Sequence, residues 1–416
     1  MVRASSQVRS LLRRHGLQLL ALLGGVAAMG LAVAMNPQFH HRAMSGPVDL
    51  LPLVLGGKAI LAGLDPNDPA TLEQLYRNSS DINLRVHGFH NYYPPTACML
   101  LLPLTLLPFQ LLSDLFYWGG MAALVGAAWF IAGAGRPRGA LSTLGVALAV
   151  GSVFLQLRLA RVVLPSGQVS PFIVLLAAMA LWGLARPQSK LGPAVFAVGV
   201  AIKYFPLVLL PAALAARRWR WLAATALVAV AFGACMWVWR DGTGGWDPKW
   251  VFGVSNFVTA SPLGHWVDHG PPWLMWLWKG RLPGIGTATL ILVGLAAWRR
   301  PGRELTVACG GLMLAWGGVS MTGGHFYHES IMILPALGFV LCWPAVRGPR
   351  ALQWSSALFA VAVLFAFQAF ARDLPRNPPH WLPMSYVVWI LCAVRWGWAV
   401  WWERRNQTGN NSASSS

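Results

Sequence analysis

Residues 45–68 read SGPVDLLPLVLGGKAILAGLDPND, and residues 90–95 close the same segment with HNYYPP. The segment as a whole, from Met35 to about Gln110, carries Asp49, Lys58, Asp65, Asp68 and Glu73 and follows directly on the apolar run Leu17–Met35. Elsewhere the chain is apolar runs punctuated by short Arg clusters. A large, acid-bearing loop placed directly after a first membrane span is set up for chemistry at the membrane surface.

Composition supports that frame. The chain of 416 residues is 56% hydrophobic and 11% charged, whereas a soluble chain carries about 25% charged residues. Apolar stretches of about 17–25 residues recur along the whole length, as membrane-spanning helices require. A soluble helical bundle would alternate with polar faces instead. The expected fold is therefore an all-α polytopic membrane protein.

A net charge of +19 first suggests nucleic acid, but the distribution of the charge excludes it. The cations sit between apolar runs: Arg13-Arg14, Arg136/Arg138, Arg186/Lys190, Arg217-Arg218/Arg220, Arg299-Arg300/Arg303, Arg347/Arg350 and Arg404-Arg405. Short loops rich in Lys and Arg stay cytoplasmic. Nucleic-acid binding wants a contiguous basic face with stacking aromatics, and none is offered. Cys98, Cys235, Cys309, Cys342 and Cys392 fall in apolar segments without CxxC spacing, so they read as small buried hydrophobes. Tryptophans cluster near span ends, as in Trp273/Trp276/Trp278, where interfacial belts favour them.

Placing each Arg cluster inside gives the topology. Span 1, about 17–35, is uncleaved and exits; the first extracytoplasmic loop covers 36–112. Further spans are expected near 113–133, 140–157, 169–185, 191–202, 204–216, 221–239, 283–298, 305–321, 331–346, 351–370 and 384–402, about twelve in all. A second large extracytoplasmic loop is 240–282, and 1–402 forms one integral membrane domain with a disordered cytoplasmic tail at 403–416. Glu304 and Glu403 are the acids left inside; nearly all others face out. Pro94–Phe109 is apolar enough to span, but a span there would flip the Arg clusters from 136 to 190. It is read as an interfacial helix broken by Pro103 and Pro108. Leu191–Ala216 is either two short spans meeting near Lys203 or one kinked span.

Several residues carry possible chemistry. Asp49, at the membrane surface before the apolar stretch Leu51–Ala62, fits a general base acting on a hydroxyl, or a helix cap. Arg158, Arg161 and Ser166-Gly167-Gln168 share one outer loop, and Lys203 sits at the next outer turn. Cations at such depth face a cavity or a partner, or snorkel to headgroups; together they could hold a phosphate. His325 and His328, beside Glu329, fit a phosphate-binding pair, a polar cap or a metal site, so a divalent metal remains possible without being assigned. Tyr92-Tyr93-Pro94-Pro95 ends the loop rigidly. Walker, GxGxxG and HExxH motifs are absent, so a donor would enter from the lipid.

These segments resemble one family. Asp49 with Gly56-Gly57-Lys58-Ala59-Ile60-Leu61-Ala62-Gly63-Leu64-Asp65-Pro66 is similar to the first loop of the polyprenol-phosphate-mannose-dependent mannosyltransferases, glycosyltransferase family 87 of the GT-C superfamily. Tyr93-Pro94-Pro95 with Leu102-Pro103-Leu104-Thr105-Leu106-Leu107-Pro108 resembles its Tyr-Pro-Pro and Pro-Leu-x-x-Leu-Pro block. Gly167-Gln168, Gly199 to Lys203 with Pro206, and Ser320–Pro335 with His325/His328 resemble later motifs. The chain departs from the pattern at Leu50-Leu51-Pro52-Leu53 and at Gly323-Gly324.

The resemblance implies a GT-C membrane glycosyltransferase with Asp49 as catalytic base. The implied donor is a polyprenyl-phosphate hexose, most simply mannose, and the acceptor a hydroxyl of a glycolipid or cell-envelope glycan. The donor phosphate would meet Lys203, Arg158, Arg161, Gln168, His325 and His328, and substrate would meet Tyr93, Lys58 and Asp65. It implies a bacterial inner membrane with the active side extracytoplasmic. The residues alone leave two rivals, a lipid-linked-sugar flippase or transporter, and a non-catalytic subunit binding lipid phosphate.

Overall fold

The computed structural model describes residues 2–34, 49–66, 68–82, 93, 95–134, 140–156, 163–203, 205–243, 289, 302–320, 334–342, 387–401 and 405. Every regular element among them is helical. The expected spans at 283–298 apart from Thr289 and at 351–370, the 240–282 loop beyond Thr243 and the 403–416 tail apart from Arg405 lie outside the described residues.

Helix α1 (Val2–Ala34) begins well before the apolar run that announced it. Leu, Arg, Gln and Ala between residues 3 and 14 are good helix formers with no proline among them, so the helix propagates through the basic segment. The first loop holds two helices. In α2 (Leu51–Leu61) Pro52 occupies the first turn, where its missing N–H costs nothing. In α3 (Pro69–Arg77) Asp68 caps the N-terminus, accepting from Ala70 N at 3.3 Å and Thr71 N at 3.0 Å. The Thr71 hydroxyl and amide hold the Asp68 carboxyl below its ordinary value.

The apolar stretch 94–109 divides into α4 (Pro95–Leu100) and a 3₁₀ turn, Leu102–Leu106. Pro103 sits in the first turn of that 3₁₀ segment, and neither piece approaches the ~20 residues a span requires. Helix α5 (Phe109–Ala134) is, among the described residues, the one long and apolar enough to cross a bilayer by that test. Shorter apolar helices follow it in the chain: α6 (Ala140–Gln156), α7 (Ser170–Leu184) and α8 (Leu191–Ile202), then a 3₁₀ turn (Phe205–Leu209) and α9 (Leu210–Ala215). Helices α10 (Trp219–Thr243), α11 (Arg303–Ser320), α12 (Leu334–Cys342) and α13 (Val387–Trp401) complete the described set.

Leu191–Ala216 is a helical hairpin. Trp221, just past its end, meets Phe196 in a tilted ring contact with centroids 4.8 Å apart and packs on Gly192, near its start. A single kinked helix would hold those residues a membrane thickness apart. The tip is Lys203, extended at φ −156° and ψ 129°, with Pro206 packed on Gly199 just beyond. At the base Gly183 and Gly192 touch backbone to backbone, leaving no room for a Cβ on either.

The described helices therefore have two distinct ends. At one, Arg186 Nη2 donates to Gly133 O at 3.0 Å and Arg303 Nη2 to Ala134 O at 3.3 Å. Both caps place a cation on the carbonyls that end α5. Lys203 lies at the other end, together with Asp49 and the turn between α6 and α7.

Candidate active site

The turn Val163–Val169 is built around Gly167, whose φ of +75° suits a residue without a Cβ. Gly167 N donates to Leu164 O at 3.3 Å, and Pro171 starts α7 immediately afterwards. This geometry turns Ser166, Gln168 and Ser170 inward: all three are buried, Ser170 completely. Buried polar groups must find partners, and here they find one another and the first loop.

Asp49 lies in the turn that leads into α2, near that helix's positive N-terminus. Its backbone N donates to Ser166 O at 2.9 Å, tying the first loop to the α6–α7 turn. Tyr93, buried, donates its hydroxyl to Asp49 O at 3.3 Å and accepts from the backbone N–H of Val169. One phenol thus links both segments. Burial first, then the charge on Asp49, pushes the Tyr93 hydroxyl far up, so it stays neutral and donating.

The side chains form a directed chain. Lys203 Nζ lies 3.3 Å from Ser170 Oγ, and Ser170 Oγ donates to Gln168 Oε1 at 2.9 Å. The Gln168 amide bonds the Asp49 carboxylate, and the Ser166 hydroxyl, which donates to Val163 O at 2.9 Å, lies beside it. An ammonium only donates and a carboxylate only accepts, so each intermediate group has its direction fixed. Burial pushes the Asp49 carboxyl above its ordinary value; Ser166, Gln168 and the Lys203 charge, in that order, pull it back without cancelling the rise. The half-buried carboxylate is therefore a stronger base than a free one, and the Gln168 amide positions it.

Other elements brace the site. Thr96 Oγ1 of α4 donates to Ala201 O beside Lys203, with Thr96 itself buried. Lys58 is occupied within the first loop: its Nζ donates to Ser79 Oγ at 3.1 Å and pairs with Asp81 at 3.6 Å, while Asp81 Oδ2 accepts from Phe109 N at 3.4 Å. Asp65 is half-buried between α2 and α3.

The structure thus brings Asp49, Tyr93, Gln168 and Lys203 together and holds Lys58 in a separate cluster. Arg158, Arg161, His325 and His328 lie outside the described residues. Ser170 is not among the residues the sequence singles out; its signal is the spacing Gln168-x-Ser170 immediately before a helix-starting proline. Among the described residues no three His, Cys, Asp or Glu side chains gather to hold a metal ion.

Comparison with known proteins bears on this arrangement. The sequence profile of glycosyltransferase family 87 matches residues 89–319. A protein of Mycolicibacterium smegmatis (strain ATCC 700084 / mc(2)155) is 26% identical over 331 residues, 73% of this chain and 75% of its own length. It is a polyprenol-phosphate-mannose-dependent alpha-(1-2)-phosphatidylinositol pentamannoside mannosyltransferase. No solved structure matches significantly. The family match takes in Tyr93, Gln168, Ser170 and Lys203, while Asp49 lies upstream of it. Spanning more than half of the chain, it establishes that this protein belongs to glycosyltransferase family 87 and is a membrane-associated glycosyltransferase.

Proposed function

We propose that the protein transfers a hexose, mannose, from a polyprenyl-phosphate donor to a hydroxyl of a glycolipid or cell-envelope glycan, with inversion and with Asp49 as general base. The observation that carries this reading is the hydrogen-bond chain from Lys203 to Asp49. It sets a cation and a partly desolvated carboxylate, the two charges such a transfer uses, at one end of the helices.

In this reading Asp49 takes the proton of the acceptor hydroxyl as that oxygen attacks the anomeric carbon. The bond to the phosphate oxygen breaks, and the polyprenyl phosphate leaves with the electron pair. Lys203 stabilises the charge that grows on it, with Arg158, Arg161, His325 and His328 as further phosphate partners. Tyr93 stays neutral and fixes the backbone of the base. Gln168 orients the base. A β-linked donor then gives an α-linked product.

The protein is read as a multispan enzyme of a bacterial inner membrane with about twelve helices and an extracytoplasmic site. Two observations support that. Arg186 and Arg303 sit at the end opposite Asp49, as cytoplasmic cations should. Leu19, Leu20, Leu23, Val26 and Leu31 of α1, with Leu222, Leu227 and Val230 of α10, are exposed where lipid would cover them.

The test is transfer from radiolabelled polyprenyl-phosphate-mannose in membranes, wild type against Asp49→Asn at equal expression. Transfer that collapses in the variant supports the reading. Equal transfer removes Asp49 from the chemistry. No transfer with mannose, but transfer with a glucose or arabinose donor, changes the sugar and keeps the mechanism.

A further inference from the structure

We infer that Ser170 is a positioning residue that sets the polarity of the Gln168 amide and thereby holds the base ready. This inference rests on the reading of Asp49 as base. A glutamine amide has one accepting and one donating end, and it serves a carboxylate only with the NH₂ end. Nothing in Gln168 itself selects that end. Ser170 does: completely buried, it has one proton, and the Lys203 ammonium 3.3 Å away cannot accept it. The proton goes to Gln168 Oε1 at 2.9 Å, which turns the amide NH₂ to Asp49. The positive charge on Lys203 is thus transmitted to the base as an orientation, without contact between Ser170 and substrate.

Among the described residues, the titratable groups facing Asp49 are Lys203 from the end of α8 and Tyr93 ahead of α4, with Cys98 of α4 behind Tyr93. Lys58, on the helix that follows Asp49, is turned to Ser79 and Asp81. Removing the Ser170 hydroxyl releases the amide. The carboxylate then loses a donor to its charged form, and its proton affinity rises.

The experiment measures kcat/KM for mannose transfer from polyprenyl-phosphate-mannose against pH, with the full chain in membranes. Ser170→Ala is expected to move the acid limb upward by about one pH unit, an approximately tenfold loss below the limb that recovers above it. Ser170→Thr, which keeps the hydroxyl, is expected to return the limb to its wild-type position. In a Gln168→Ala background, Ser170→Ala is expected to add nothing, because it acts only through the amide. If Ser170→Ala fails to accumulate, Ser170→Cys, a weak donor, carries the same test. An acid limb that does not move, a loss uniform across pH, or additive effects of Ser170 and Gln168 would each overturn the inference. Asp49→Asn run in parallel separates the two levels. An inactive Asp49→Asn with an unmoved Ser170→Ala limb removes only the Ser170 role, whereas an active Asp49→Asn removes the base itself.

Discussion

Lys203 and Asp49 terminate one hydrogen-bond chain, in which Ser170 Oγ stands 3.3 Å from the ammonium and the Gln168 amide bonds the carboxylate. The two charges come from the tip of a helical hairpin and from the turn before α2. Their joint presence at one place separates this site from a scatter of interfacial charges.

Asp49 should trade stability for activity. Burial holds its carboxyl above the ordinary value, so the protonated form favours the folded state. That stabilisation is fully present below the unfolded carboxylate range and is lost as pH rises through the folded value. Asp49→Asn is expected to lower transfer by about 10²–10⁴-fold while raising Tm at neutral pH and flattening its pH dependence. Thermal unfolding in detergent at several pH values, beside the transfer assay, checks this. A lower Tm at neutral pH would contradict burial as the dominant influence on the carboxyl.

Lys203→Met should act twice. It removes the cation proposed for the leaving phosphate, with an expected loss of about 10²–10³-fold in kcat. It also removes the charge that pulls the Asp49 carboxyl down, so the acid limb of the pH profile should move upward. Initial rates across pH and donor concentration separate the two effects. A change in donor KM alone would confine Lys203 to binding.

Gly167→Ala tests the turn that carries Ser166 and Gln168. At φ +75° a Cβ costs about 1–2 kcal/mol, so a lower Tm is expected together with reduced transfer. The equivalent change at Gly63, also left-handed at φ +69° but with open space around its Cβ position, should cost similar stability with less effect on transfer. Equal losses of transfer in both would show that the α6–α7 turn has no special part in the site.

Lys58→Met probes the first loop. The ammonium is engaged with Ser79 and Asp81, whose side chains are partly exposed, so the pair is screened and worth about 1 kcal/mol or less. The variant is expected to lose a little stability and to keep the donor and acceptor KM. A raised acceptor KM at unchanged Tm would place Lys58 on substrate instead of in the loop staple.

Much of the helical architecture was legible in apolar length. Apolar runs announced the helices at 109–134, 140–156 and 170–184 within a few residues, because the helix-breaking Pro137, Pro165 and Pro187 fall between them. Pro103 and Pro108 marked 94–109 as interrupted, and the structure breaks it into a six-residue helix and a 3₁₀ turn. Lys203 before Tyr204-Phe205-Pro206 marked a break, but hairpin and kink share the same local sequence. The contacts of Trp221 with Phe196 and Gly192 distinguish them. The early start of α1 is not legible from hydropathy, which reports apolar runs and is blind to helix that continues beyond them.

The sequence by itself determined the class of molecule, the break at Lys203, and Asp49, Gln168 and Tyr93 as residues of interest. Those properties depend on residue type and local order, which hydropathy and motifs report directly. Only the tertiary structure decided that Asp49, Tyr93, the 166–170 turn and Lys203 share one site, that Ser170 belongs to it, and that Lys58 is bound to Asp81. Tyr93 reaches Asp49 across 44 residues and Lys203 reaches Ser170 across 33, and no periodic pattern encodes such pairings. They follow from how the helices pack and from the need of each buried polar group for a partner.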